Sequence, residues 1–146
     1  TALQYDTVSD KWINVASTVI PSIEEKFATS ASISSGDDGN LTIQGYRGYV
    51  LYKIKASVAS WVRIYCDVPS RDSDATRSHG NDPLPGSGVI AEVTTTSADE
   101  EILLTPGVMG FNNDSSVSTN IYLAINNRSG SAAAVTVTLT VLKIGE

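Results

Sequence analysis

Alternation of apolar and polar residues is the feature of this sequence that most restricts its fold. It is clearest in the segment 133–143, where Val135, Val137, Leu139 and Val141 alternate with Thr136, Thr138 and Thr140. Because successive side chains of a β-strand point to opposite faces, this pattern predicts a strand with one face in a core and the other in water. Threonine suits the outer face, since its branched Cβ favours an extended backbone.

Shorter segments of the same kind recur along the chain. Strands are also predicted at 41–44, 49–57, 60–67, 89–95, 101–105 and 119–126, with Gly, Pro and Asn residues between them. Such regular spacing, with almost no helical periodicity, is typical of a β-sandwich or jelly roll. We therefore expect an all-β fold, an antiparallel, jelly-roll-like β-sandwich over residues 32–146.

Two predicted strands, 49–57 and 60–67, are joined by only Val58 and Ala59. Such a brief connection predicts that they pair as a hairpin. In the first strand Val50, Tyr52, Ile54 and Ala56 are expected to share one face. In the second, Trp61, Arg63 and Tyr65 are expected on the face opposite Val62, Ile64 and Cys66.

Residues 1–31 carry aromatic residues among polar ones without sustained alternation. We interpret them as an N-terminal arm or linker with a short helix near 21–28, where Pro21 suits a first helical position. Large apolar side chains in such an arm would be exposed unless a partner covers them. The arm residues expected at an interface are Tyr5, Trp12 and Phe27.

Composition argues against several kinds of partner and site. The net charge of −6 disfavours nucleic acid, whose phosphates bind clustered Lys and Arg. No apolar run is long enough to span a membrane as a helix. Cys66 is the only cysteine, so neither an intrachain disulfide nor a cysteine-based zinc site is expected. The Asp- and Asn-rich turns do not match the twelve-residue calcium loop, and no metal or other cofactor is predicted.

Catalysis is not predicted either. His79 is the only histidine, and the glycine-flanked Ser87 lacks the spacing of a nucleophile elbow. Phosphate-binding, dinucleotide-binding and zinc-protease motifs are absent from the sequence. We therefore do not expect an enzyme.

The segment 67–88 has no periodicity, and loops of this length in compact domains are usually binding loops, lids or disordered connectors. In one interpretation its arginines pair with its own carboxylates and hold the loop to itself. In the other it forms a contact surface with a neighbouring chain or a partner. The residues considered for either role are Arg71, Asp72, Asp74, Arg77, His79 and Asp82.

Over residues 45–144 the sequence resembles small virion structural proteins of tailed bacteriophages, chiefly those of cyanobacteria. The resemblance is carried by GYVLYKIKAS at 48–57, WVRIY at 61–65, SRDSD at 70–74, DPLPGSGVIAEV at 82–93 and PGVMGFNN at 106–113. Separately, LQYDTVSDKWIN at 3–14 resembles segments of phage tail fibres that precede a globular tip.

These resemblances imply a virion protein exposed on the outside of a phage particle, in contact with other virion proteins. As a fibre or appendage module it would meet a host-surface glycan or protein, with Trp61 and Tyr65 as a sugar platform unless they pack in the core. As a capsid decoration protein it would stabilise the head lattice through its aromatic arm. Both implied roles are compatible with threefold symmetry, and a homotrimer is expected.

Overall fold

The computed structural model describes the backbone of residues 2–6 and 11–15 and, with side chains, residues 23–145. Strands β1 (Ala2–Asp6) and β2 (Lys11–Val15) pair with each other antiparallel. The described residues from 23 onward form two four-stranded antiparallel sheets. The first sheet has the order β3 (Ile23–Ile33), β10 (Ala133–Gly145), β5 (Gly48–Ala56), β8 (Glu100–Phe111). The second has the order β4 (Asp38–Gln44), β9 (Asn120–Asn127), β6 (Ser60–Tyr65), β7 (Val89–Thr94).

The strand order identifies the topology. Counted from β3, the first sheet holds strands one, eight, three and six, and the second holds two, seven, four and five. From β3 onward, only the connection from β6 to β7 stays within one sheet. An eight-stranded, two-sheet arrangement of this kind is a jelly roll built from two Greek keys. The expected all-β, jelly-roll-like sandwich is confirmed.

One hydrophobic core lies between the two sheets. The residues of β10 that were predicted to face inward are fully buried, with an exposure of 0% for Val135, Val137, Leu139 and Val141. They pack in one cluster with apolar side chains of the second sheet, including Ile43, Val62, Ile64, Leu123 and Ile125. Burial of aliphatic side chains from both sheets is the main force that holds them face to face.

The N-terminal prediction needs correction. The short helix expected near 21–28 is not formed over residues 23–28, which belong to β3; residues 21 and 22 lie outside the described residues. Residues 23–33 pair with β10, with Phe27 opposite Thr138. A helix of two turns is marginal in isolation, whereas pairing with β10 satisfies the backbone groups on one side of the whole strand. The division predicted after residue 31 falls inside this strand.

The predicted hairpin of β5 and β6 is wrong. The two strands belong to different sheets, and the short connection at residues 57–59 crosses from one to the other. Both strands turn apolar residues to the shared core, as Ile54 of β5 and Ile64 of β6 show. A short link therefore joins facing strands as readily as paired ones.

The predicted faces of β5 also change halfway along the strand. Tyr49 and Leu51 are buried on the core side together with Ile54 and Ala56, so Val50 lies on the opposite face. The register against β10 shifts at this point, since Thr140 is opposite Lys53 but Val141 is opposite Leu51, so β5 has one residue more than its neighbour, as in a bulge. One extra residue inverts the alternation that the sequence pattern suggests.

Strand β8 is longer than the predicted 101–105, because it continues through Pro106 to Phe111. It lies at the edge of its sheet, where a proline is tolerated because the backbone N–H that it lacks is not needed for pairing with a further strand. Among the described residues, no helix is long and apolar enough to cross a membrane.

Replacing Leu139 by Ala tests the position of the core. Leu139 is fully buried between the sheets, so its truncation should lower the free energy of unfolding by about 2–5 kcal/mol. The neighbouring Thr138→Ala, on the outer face of the same strand, should cost less than about 1 kcal/mol. Urea unfolding followed by tryptophan fluorescence measures both, and equal losses would contradict this assignment of faces.

Candidate contact surface

The segment that connects β6 to β7, residues 67–88, is here called the cover loop. It is not structureless as predicted, because it begins with the short helix α1 (Val68–Ser73). Asp67 caps this helix by accepting a hydrogen bond from the Ser70 backbone N–H at 2.8 Å. A hydrogen bond from the Ser70 side chain, supported by this one from its backbone, lowers the pKa of the Asp67 carboxyl below its usual value. An aspartate directly before a proline-containing first turn is a sequence signal for such a helix.

Both ends of the cover loop are held together at the sheet. The Cys66 backbone N–H donates to the Gly88 carbonyl at 3.0 Å. Gly88 has a φ of +84°, and a Cβ there would overlap the Ser70 side chain. Glycine is therefore required at this position for its backbone conformation and for space. The result is a closed loop with its two ends side by side.

In the middle of the cover loop, Asp74 is held by two partners. It accepts a hydrogen bond from the Tyr65 hydroxyl at 2.6 Å and lies 2.9 Å from Arg77. Burial alone would raise the pKa of the Asp74 carboxyl, but the hydrogen bonds from Arg77 and Tyr65 outweigh it and leave the pKa below its usual value. Asp74 therefore stays ionised and ties α1 to β6.

Arg77 connects the cover loop to β7. Its guanidinium lies 2.8 Å from Glu92 as well as 2.9 Å from Asp74, and 5.2 Å from the centre of the Trp61 ring. The hydrogen bond to Asp74, with a further one to Glu92, raises the Arg77 pKa above its usual value. Next to it, His79 approaches Trp61 edge-on and places its Nε2 2.9 Å from the Thr94 hydroxyl.

A second, smaller apolar cluster lies under the loop on the outer face of the second sheet. Tyr65, Tyr122 and Ala124 form it, with Val68 and Val89 against them. The guanidinium of Arg71 lies over the Tyr122 ring, 5.5 Å from its centre. The loop therefore gives the second sheet a cover of its own.

This arrangement decides between the two interpretations of Trp61 and Tyr65, a sugar platform or packing in the fold. Trp61 is only 3% exposed and Tyr65 only 1% exposed. Packing, and not a sugar platform, is their role in this structure. A flat aromatic surface for a glycan would need exposed rings, and neither residue provides one.

The predicted loop residues separate into two groups. Arg77 and Asp74 are nearly buried and paired with each other, while Arg71 is partly covered above Tyr122. Asp72, His79 and Asp82 are exposed and remain available for contact. The structure thus brings all six residues to one side of the second sheet but presents only part of them to solvent.

Two cavities border the exposed side of the loop. A cavity of about 650 Å³ lies between α1 and the 81–87 bend and is lined by Asp67, Asp74, Asp82 and Asn81 among others. A second, of about 630 Å³, lies between the bend and the edge strands β7 and β8. Leu84, which is 80% exposed, borders both cavities. Its exposure was not predicted, although a leucine between two prolines is a signal for an apolar side chain held at a loop tip.

Of the three predicted arm residues, only Phe27 has a described side chain, and it does not lie at this site. Phe27 is 69% exposed on β3 of the first sheet. Tyr5 and Trp12 are opposite each other in the backbone register of β1 and β2, and their side chains lie outside the described residues. Among residues 23–145 no group of three or more His, Cys, Asp or Glu side chains is placed to hold a metal ion.

Comparison with known proteins gives distant structural similarity and no sequence match. No protein-family model and no curated protein sequence matches the chain. A chain of the capsid asymmetric unit of cyanophage Pam1 aligns with 12% identity, a TM-score of 0.44, and coverage of 95% of this chain and 97% of that one. A chain of the virus-like particle of extra small virus from the giant freshwater prawn Macrobrachium rosenbergii aligns with 12% identity, a TM-score of 0.34, and coverage of 92% and 86%. At these TM-scores the two alignments do not decide the function.

The Asp74 anchor predicts a pH-dependent stability. The pKa of the Asp74 carboxyl is lower in the folded state than in the unfolded chain, where it is about 4. Asp74 therefore stabilises the folded state at pH values above about 4, and this stabilisation is lost as the pH falls through the folded-state pKa. Asp74→Asn should therefore lower the free energy of unfolding by about 1–3 kcal/mol at pH 7, with a smaller difference from the parent below about pH 4. Chemical unfolding at several pH values measures this.

Asp82→Asn is the matched control, because Asp82 is an exposed carboxylate of the same loop. Its effect should stay within about 0.5 kcal/mol at either pH. A loss as large as that of Asp74→Asn would show that the Asp74 contacts do not anchor the loop.

Proposed function

We propose that this chain is a non-enzymatic structural protein of a phage virion, carried on the outside of the particle as a fibre or appendage module that contacts the host surface. The observation that carries the proposal is a jelly-roll sandwich whose long β6–β7 loop is fixed to the sheet by the Arg77–Glu92 ion pair and the Tyr65–Asp74 hydrogen bond while its outer side faces solvent. The resemblance of the sequence to phage virion proteins supports the same setting.

The fold limits the classes of function. Jelly rolls recur in viral capsid and lectin domains, where they act by binding and assembly. Because one fold hosts many functions, the proposal also needs a suitable surface. The cover loop provides it, since contact residues presented by a rigid loop lose less entropy on binding than those of a mobile one.

The chemistry of the loop suits a polar host-surface ligand. Exposed Asp72 and Asp82 offer hydrogen-bond acceptors, and the cavity beside α1 adds amide and hydroxyl groups from Asn81 and Ser73. Carboxylates and amides are the groups that bind sugar hydroxyls or peptide N–H groups by hydrogen bonds. Leu84 adds an apolar contact at the rim. A surface glycan or a surface protein is therefore the proposed partner on the host side.

The geometry favours binding over catalysis at this site. His79, the only candidate base in the sequence, has its Nε2 hydrogen-bonded to Thr94. Ser87 lies in the bend, where its backbone N–H donates to the Leu84 carbonyl at 3.1 Å. A hydrolase of the serine type needs a nucleophile within hydrogen-bond reach of its base. The contacts of His79 and Ser87 show no such pair.

A capsid decoration protein is the second candidate, and the N-terminal hairpin favours it. A two-stranded hairpin is marginally stable by itself, so β1 and β2 would gain stability by packing on a neighbouring virion protein. In either role we propose contacts with other virion proteins and threefold symmetry of the chain.

Labelling intact phage particles with an antibody against the chain tests the proposal. Gold particles on the tail or its fibres would support the appendage role, and a regular decoration of the head would support the alternative. Absence of the chain from purified virions that contain the other structural proteins would contradict both.

Charge reversal in the cover loop tests the host-contact surface. Asp82→Arg should reduce binding of the purified protein to host cells at least tenfold, because it places a cation where the loop offers an acceptor. Asp37→Arg makes the same change of charge at an exposed turn between β3 and β4 and should leave binding unchanged. Flow cytometry of labelled protein on host cells measures both, and an equal effect of the two variants would count against the loop.

A further inference from the structure

The outer face of the first sheet, here called the open face, carries an unusual row of apolar side chains. In the strand register Ile23 is opposite Leu142, Leu142 is opposite Val50, and Val50 is opposite Met109. Directly opposite residues of an antiparallel sheet share a face and lie in contact. The row therefore crosses all four strands of the sheet without interruption.

Exposed apolar side chains elsewhere on this sheet extend the row. Ile23 is 62% and Met109 61% exposed, and four further residues of the sheet are exposed to a similar degree. These are Phe27 at 69%, Leu103 at 67%, Phe111 at 49% and Ile144 at 57%. Single exposed apolar residues are normal on a protein surface, but a continuous patch marks a surface that another molecule covers.

The charges of the open face indicate what covers it. Glu25 and Glu101 stand against Lys53 and Lys55 on the same face, so it is electrically balanced although the whole chain has a net charge of −6. Lys53 and Glu101 already lie 3.5 Å apart. A strongly charged partner gains nothing from a balanced face, whereas a second copy brings the same balanced set of charges and can pair with it.

The size of the face is suitable for such a contact. With strands about 4.8 Å apart and a rise of about 3.3 Å per residue, four strands of roughly ten residues present about 600 Å². A standard protein–protein interface buries about 800 Å² on each partner. The open face thus supplies most of the area that a stable contact between two copies needs.

We propose that the open face is the surface through which two copies of this chain associate face to face, in a twofold contact that is separate from the proposed threefold symmetry. The outer face of the second sheet cannot make the same contact, because the cover loop lies on it. This inference goes beyond the proposed function and does not need it, since self-association through the open face can occur in either virion role. It also gives Phe27, predicted at an interface, its place on β3.

Sedimentation velocity of the full chain over a range of concentrations tests the proposal. The parent protein should sediment as an oligomer, and Phe27→Ser and Leu103→Ser should each raise its dissociation constant at least tenfold. Both residues are largely exposed, so neither substitution should lower the melting temperature of the dissociated chain. Lys55→Glu should also weaken association, because it unbalances the charge of the face without removing an apolar contact.

Two exposed apolar residues outside the first sheet serve as controls. Val117→Ser, at a residue 48% exposed in the β8–β9 connection, should not change the dissociation constant. Leu84→Ser tests the cover loop in the same way. Dissociation by Leu84→Ser alone would overturn the proposal in favour of a loop interface. A parent protein that remains a monomer at all concentrations would overturn it too, and would mean that residues 1–22 or a different partner cover the face. Neither result would remove the chain from the virion, so labelling of particles tests the proposed function separately.

Discussion

The ion pair of Arg77 with Glu92 and the hydrogen bond from Tyr65 to Asp74 hold the cover loop on the second sheet, and the position of the contact surface depends on them. The Arg77 guanidinium is shared between Asp74 and Glu92, and its side chain is only 9% exposed. A charge removed from water to this extent is stabilised only when oppositely charged partners surround it. The loop cannot lift from the sheet without separating Arg77 from Glu92, breaking the hydrogen bond from Tyr65 to Asp74 and removing Arg77 from the Trp61 ring. The geometry that the loop presents to a partner is therefore fixed by the fold.

The strands of the core were predictable, because their alternation follows directly from burial on one face. The predicted segments at 60–67 and 133–143 correspond to β6 and β10. Strand β3 was missed because its pattern is inverted: apolar Ile23 and Phe27 face outward, and charged Glu24 and Lys26 occupy the other side. Those charges are compatible with that side because they lie at its margin, where the Tyr46 hydroxyl donates to Glu24 at 2.5 Å and Lys26 lies over the Tyr46 ring. A sequence pattern cannot distinguish this arrangement from a short amphipathic helix.

The candidate site was predictable as a segment but not residue by residue. Missing periodicity identified the cover loop, and its composition allowed both internal pairing and external contact. Which carboxylate faces inward depends on partners from other strands: Asp74 meets Tyr65 of β6, while Asp72 in the same helix meets solvent. The open face was not predicted for a related reason. Leu103 lay in the predicted strand 101–105 without an assigned face and Met109 lay outside it, and their pairing with Lys53 and Val50 shows which side of the sheet they occupy.

The two outer faces of the sandwich meet one physical requirement in different ways. A two-sheet fold buries only its inner faces, so apolar residues on an outer face must be covered by another part of the chain or by another molecule. The second sheet is covered by its own β6–β7 loop, and the first sheet, within the described residues 23–145, keeps large apolar side chains exposed on three of its four strands. The two faces meet at the edge formed by β7 and β8, where Met109 and Phe111 of the open face line one cavity with Pro83 and Leu84 of the cover loop. Copies that associate through the open face would therefore bring their contact up to the cover loop along this edge. Self-association and binding of a partner then use neighbouring surfaces of the same domain and compete where those surfaces meet.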